Sequence, residues 1–124
     1  MHTRSELRSD VDIDVVISAL DDADARAMIE ALDGPMSAGE LAERCDIPLS
    51  STYRKLERLA DAQLLKEGTA IRRDGHHVTR YAVGFDHVEI QYEPTTGLRC
   101  RVEQRPASAP EQLATMWSQV QEET

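Results

Sequence analysis

The sequence predicts an α+β domain, helical in its first half and built of hairpins in its second, on three observations. Apolar residues recur at helical spacing as far as about residue 62 and then alternate with polar ones. Ser37 and Glu40 form an S-x-x-E pattern, the signature of a capped helix start. Asp74-Gly75 is a strong hairpin dipeptide between two alternating runs.

Taken in order, residues 1–10 read as a flexible N-terminus. In Val11–Leu20, Ile13, Val16, Ile17 and Leu20 fall on one helical face, although the alternation with Asp12 and Asp14 is equally compatible with an extended start. Asp21 or Asp22 caps a second helix whose stripe is Ala25, Met28, Ile29 and Leu32. Asp33-Gly34-Pro35 ends it, since proline cannot continue a helix. A helix of about two turns then follows Ser37, with Leu41, Ala42 and Cys45 inward. Asp46-Ile47-Pro48 is a tight connection into a longer helix, about 48–62, with Thr52, Leu56 and Leu59 on its inner side. Ser50, Ser51, Arg54 and Arg58 fall largely on the other side, and Lys55 reads as solvated on the flank.

The stretch from Leu64 to Val83 reads as strand, turn and strand, with the turn near Arg73–His77. A second hairpin follows over 86–105. Val88, Ile90 and Tyr92 alternate on one strand; Leu98, Cys100 and Val102 alternate on the other. A loop over 93–97 pairs Ile90 with Cys100 and Glu89 with Arg101, which sorts apolar residues to one face and opposite charges to the other. Residues 106–110 read as a linker. Leu113, Met116, Trp117 and Val120 then make a helical stripe with the only tryptophan, compatible with packing on its own domain but read, after a Pro/Ala linker, as a dimerisation helix.

Composition narrows the function classes. The chain has 124 residues, 14 basic against 23 acidic, and a net charge of -9. Only Lys55 and Lys66 are lysines. An acidic, lysine-poor surface is expected of a protein kept dissolved by concentrated salt, where screening relieves carboxylate repulsion. No apolar run approaches the roughly 18 residues of a membrane span. The polar N-terminus does not read as a signal peptide, so a cytoplasmic protein is expected. Cys45 and Cys100 stand far apart in no metal-binding or redox spacing, and read as reduced, buried thiols.

Charge is uneven. Residues 47–81 hold Arg54, Lys55, Arg58, Lys66, Arg72, Arg73 and Arg80 against Glu57, Asp61, Glu67 and Asp74. A basic segment inside an acidic chain points to a polyanionic partner.

Short helix, tight turn, longer helix and basic-tipped hairpin is the order of a winged helix-turn-helix. Three stretches, "LDDADARAMIEAL", "MSAGELAERCDIPLSSTYRKLERLADAQLL" and "IRRDGHHVTRYAV", resemble the ArsR-like winged helix-turn-helix regulators of the type found in halophilic archaea. The resemblance covers residues 20–83, about half the chain. It implies a cytoplasmic, dimeric transcription regulator that binds double-stranded DNA. The expected organisation is a flexible 1–10, a winged helix-turn-helix domain over 11–85, a hairpin extension over 86–105, and linker and dimerisation helix over 106–124.

An α-helix fits the major groove and offers its N-terminal residues to base edges. Ser50, Ser51, Tyr53 and Arg54 lie there, with Arg54 the candidate for a bidentate guanine contact and Arg58, one turn on, for phosphate. Arg72, Arg73, His76 and His77 make the wing, about 71–80, which the resemblance places on the backbone or in the minor groove.

Two other functions fit the same residues: a winged-helix protein-interaction module, and a redox or small-effector sensor using Cys45 or Cys100. His76-His77 has no companion at metal-ligand spacing, and the metal-binding Cys-x-Cys of some ArsR-like members is missing around "AERCDI", so no metal or other cofactor is expected. No grouping with nucleophile and base is visible, and catalysis is not expected.

Overall fold

The computed structural model describes residues 8–105. The expected linker and terminal stripe, with Leu113, Met116, Trp117 and Val120, lie outside the described residues.

The elements run β1 (Arg8–Val11), α1 (Ile13–Leu20), α2 (Ala23–Ala31), β2 (Met36–Ser37), α3 (Ala38–Cys45), α4 (Leu49–Asp61), β3 (Leu65–Ile71), β4 (His77–Val83), β5 (Phe85–Glu93) and β6 (Gly97–Gln104). The strands form two antiparallel three-stranded sheets, ordered β2-β4-β3 and β1-β6-β5. Helices and sheets share one core, in which Val16, Met28, Leu41, Leu56, Leu59 and Leu64 meet Cys100 and Val102.

Local chemistry sets the helix ends. Asp12 caps α1 and Asp22 caps α2, each accepting a hydrogen bond from the backbone two residues on. At α3 the Ser37 hydroxyl accepts from the Glu40 backbone while the Glu40 carboxylate accepts from the Ser37 backbone, closing a capping box. Asp46 ends α3 in the left-handed region at φ 56°, a conformation that Asp tolerates better than most residues. Its N–H bonds back to Ala42 and Glu43, Ile47 tucks into the core, and Pro48 opens α4. This tight reversal makes α3 and α4 a helix-turn-helix pair.

Several expectations change. Residues 8–10 belong to β1 rather than to a flexible terminus: β1 adds to the edge of β6, and Asp10 receives hydrogen bonds from Arg99 and Arg101 across the sheet. Those guanidinium groups, Arg101 first, hold the Asp10 carboxyl below its ordinary range. The inner face of α1 centres on Val16 and Ala19, and Ile17 is 49% exposed. Lys55 is not solvated on the flank of α4; its ammonium is half-buried and paired with Asp22, with Asp24 3.9 Å away. The salt bridge therefore ties α4 to the capped start of α2.

In the β3–β4 hairpin, Ile71 faces His77, and residues 72–76 make the turn. Gly75 sits at φ 88°, the left-handed region that glycine enters without a Cβ penalty. Arg80 on β4 is 6% exposed, and its guanidinium donates to Glu40 at 2.9 Å. The residue that closes the capping box of α3 thus also anchors the hairpin. In the second sheet β5 and β6 pair Ile90 with Cys100 and Glu89 with Arg101, the register that the sequence alternation predicts.

Candidate nucleic-acid interface

Helix α4 presents four faces, each with different neighbours. Thr52, Leu56 and Leu59 are buried in the core. Ser51 and Lys55, four residues apart, are half-buried on the side where Lys55 meets Asp22 of α2. Tyr53 and Glu57 line the cleft toward the hairpin with Glu67 and Tyr81. Ser50, Arg54 and Arg58 follow one line at four-residue spacing on the outer face, and all three are exposed.

The predicted site residues are therefore distributed as follows. Ser50 and Arg54 lie together on the outer face, while Ser51 turns partly inward. Tyr53 is 54% exposed and stands at the mouth of a second cleft with Ser37, Gly39, His77 and Thr79. Burial pushes the Tyr81 hydroxyl up, aided by Glu67 and Tyr53, so it stands in the cleft as a neutral group. Arg58 borders a groove against α1 with Asp14, Val15, Ser18 and Asp61, away from the hairpin. Arg72, Arg73, His76 and His77 are exposed at the hairpin tip, where the backbone and imidazole of His76 hydrogen-bond the Asp74 carboxylate. The structure thus joins Tyr53 to His77 across one cleft and sets Arg58 apart from both.

The cations differ in a way the sequence does not reveal. Arg44, Lys55, Arg80, Arg99, Arg101 and Arg105 each lie within ion-pair distance of a carboxylate. Among the described residues, no such pair engages Arg54, Arg58 or Arg72. Two residues counted in the basic segment, Lys55 and Arg80, are internal ties. Among the described residues, the outer line of α4 and Arg72 at the hairpin tip hold charges that no described carboxylate occupies.

Neither thiol is activated. Burial pushes both Cys45 and Cys100 up; Arg44 opposes this at Cys45 without reversing it. A raised thiol holds little thiolate, the reactive form. Among the described residues no group of three or more His, Cys, Asp or Glu side chains is placed to hold a metal ion, and no helix is long and apolar enough to cross a membrane.

The helix pair and part of its hairpin coincide with a known domain: residues 20–68 match a family described as a helix-turn-helix domain. Among solved structures, the chain is similar to a possible transcriptional regulator from Methanosarcina mazei Go1, at 19% identity and a TM-score of 0.46, covering 60% of this chain and 73% of that chain. No curated protein matches the chain.

Proposed function

We propose that the protein is a sequence-specific, DNA-binding transcription regulator that acts as a homodimer and carries out no catalysis. In this reading α4 enters the major groove, with Ser50 and Arg54 toward base edges, and the β3–β4 hairpin follows the backbone or minor groove through Arg72, Arg73, His76 and His77. The observation that carries the reading is the exposed line Ser50–Arg54–Arg58, whose arginines, among the described residues, make none of the ion pairs that occupy cations such as Lys55 and Arg80. The helix-turn-helix match over residues 20–68 supports it. The ArsR-like resemblance and the acidic, lysine-poor composition support a regulator of the halophilic-archaeal type working in the cytoplasm.

Selection from a random duplex library is the direct test. The expected product is a two-fold related sequence, one half per subunit. Absence of duplex binding at every salt concentration would overturn the reading in favour of a protein-interaction module.

Salt supplies a second expected result. Phosphate contacts from Arg58, Arg72 and Arg73 alone would give a slope of log K against log salt of about -2.7 per subunit. Glu57 and Asp61 are exposed on the same helix and repel phosphate unless cations lie between. Uptake of those cations offsets the release, so the measured slope is expected to be shallower, with binding persisting or strengthening in concentrated KCl. A titration reaching the full slope would remove the carboxylates from the interface.

A further inference from the structure

The second sheet has an apolar face that outruns its own core. Along the β5–β6 hairpin the facing apolar pairs are Val88 with Val102, Ile90 with Cys100, and Tyr92 with Leu98. At the base, Val102 and Cys100 are buried and Val88 packs against the helical core. Toward the tip, Ile90 is 52%, Leu98 61% and Tyr92 71% exposed. The opposite face is satisfied by charge: Arg99 and Arg101 meet Asp10, Arg99 also reaches Glu93, and His87 lies 3.1 Å from Glu103.

β5 also forms an edge. The order β1-β6-β5 leaves its outer side with no described strand. Edge strands are commonly protected by lysine, proline or a bulge. Between His87 and Glu93 there is no lysine and no proline, and the one register irregularity lies earlier, between Phe85 and His87.

We infer that β5 pairs antiparallel with β5 of a second copy of this chain, across a two-fold axis at Ile90, joining the two sheets into one of six strands. This rests on the homodimer reading above and names its interface. Charge fixes the register. A two-fold axis normal to the sheet keeps both apolar faces on one side and makes one residue of β5 face its own copy. Centring on Glu89 sets that carboxylate against itself, and centring on Gln91 sets Glu89 against Glu93 of the partner subunit. Like charges directly opposite are destabilising. Centring on Tyr92 meets Pro94, which has no N–H for the ladder. Centring on Val88 leaves Tyr92 and Leu98 beyond the overlap. Centring on Ile90 pairs the strands from His87 to Glu93. Glu89 then faces Gln91 of the partner subunit, and His87 faces Glu93 of the partner subunit.

The same register accounts for the overhanging apolar face. Each hairpin tip comes to lie beside the other's base, so Tyr92 is set against Val88 of the partner subunit, on the side of the sheet that carries the helical core. Exposed side chains of one copy are placed where the other copy supplies apolar surface, and the two-fold closes the assembly at two subunits.

The test uses the full chain with Cys45→Ala and Cys100→Ala, so that no native thiol competes. Ile90→Cys in this background is expected to give a covalent dimer with a short bis-maleimide, whereas Asp33→Cys, exposed far from β5 in sequence, gives none. Ile90→Lys in the native chain is expected to raise the dimer dissociation constant at least tenfold in sedimentation equilibrium while the circular dichroism spectrum stays unchanged. Two results overturn the interface: an Ile90→Cys chain that fails to cross-link, or a dimer untouched by Ile90→Lys but dissociated by Trp117→Ala, which would assign the contact to the terminal stripe. A wild-type chain that is monomeric at every concentration removes the homodimer as well. A cross-linked dimer that binds no duplex leaves the interface standing and removes the DNA-binding reading instead.

Discussion

Arg54→Ala is expected to weaken binding to the selected site about 5- to 150-fold, and binding to random duplex much less. The range corresponds to roughly 1–3 kcal/mol for a bidentate arginine–guanine pair. Arg54 is suited to that role because it is exposed in the second turn of α4, on one line with Ser50, and no described carboxylate pairs with it. The same exposure makes the variant clean. A surface substitution away from packed or capped positions changes stability by no more than about 0.5 kcal/mol, so lost affinity will not be lost fold. Arg54→Lys is the sharper comparison: it keeps the charge and gives up the planar fork, so it should restore binding to random duplex and not to the selected site. Arg58→Ala should behave differently. Arg58 lies further along the helix, beside the groove against α1, where a phosphate contact is expected. Its loss should lower affinity evenly across sequences and reduce the magnitude of the salt slope by about one. Equal losses of Arg54→Ala on selected and random duplex would exclude Arg54 from base readout.

What the sequence makes legible depends on how local the signal is. The start of α3 can be read from Ser37 and Glu40 because both halves of the capping box lie within one turn. The inner face of α4 can be read from Thr52, Leu56 and Leu59 because helical spacing sorts them. The β5–β6 register follows from alternation on two strands joined by a short loop. Signals carried by distant partners cannot be read in this way. Lys55 looks like a flank cation until Asp22, 33 residues away, folds against it. Arg80 counts toward a basic patch until Glu40, 40 residues away, receives it. β1 is four residues of mixed polarity whose only reason to be extended is β6, at the other end of the described chain. β2 is two residues, too few for any period. Ile17 shares the apparent stripe of α1, but the core lies toward Val16 and Ala19, a rotation that the apolar pattern alone does not define.

Glu40→Ala is expected to cost about 2–3 kcal/mol of stability and to lower the melting temperature by roughly 10 °C. Two losses combine. The Ser37 backbone loses its half of the capping box, worth about 0.5–1 kcal/mol. Arg80, 6% exposed, loses the carboxylate that compensates its charge. Stripping one partner from a fully buried pair costs about 3–5 kcal/mol, but the Glu40 side chain keeps 53% of its surface in water, so only part of that applies. The variant also tests whether this pair positions the wing. Arg80 belongs to β4 and Glu40 to α3, so the salt bridge fixes the hairpin tip relative to the helix pair. Affinity for the selected site should fall even where the variant is fully folded. Glu40→Gln retains an oxygen acceptor for the cap and loses the charge, so it should fall between wild type and Glu40→Ala. A double-mutant cycle with Arg80→Met then isolates the pair, and additive losses would show that the two side chains do not act together. Acid gives the same answer by another route. Burial opposes the Glu40 charge, but hydrogen bonds from Ser37 and the charge and hydrogen bond of Arg80 outweigh it, leaving its pKa below the ordinary 4.5. A depressed carboxylate adds stability that is fully present above 4.5 and is lost as pH falls through the lowered folded value. Wild type should therefore lose more stability than Glu40→Gln as pH falls below about 4.5. Parallel acid denaturation curves would show that the carboxylate is not what holds Arg80 in place.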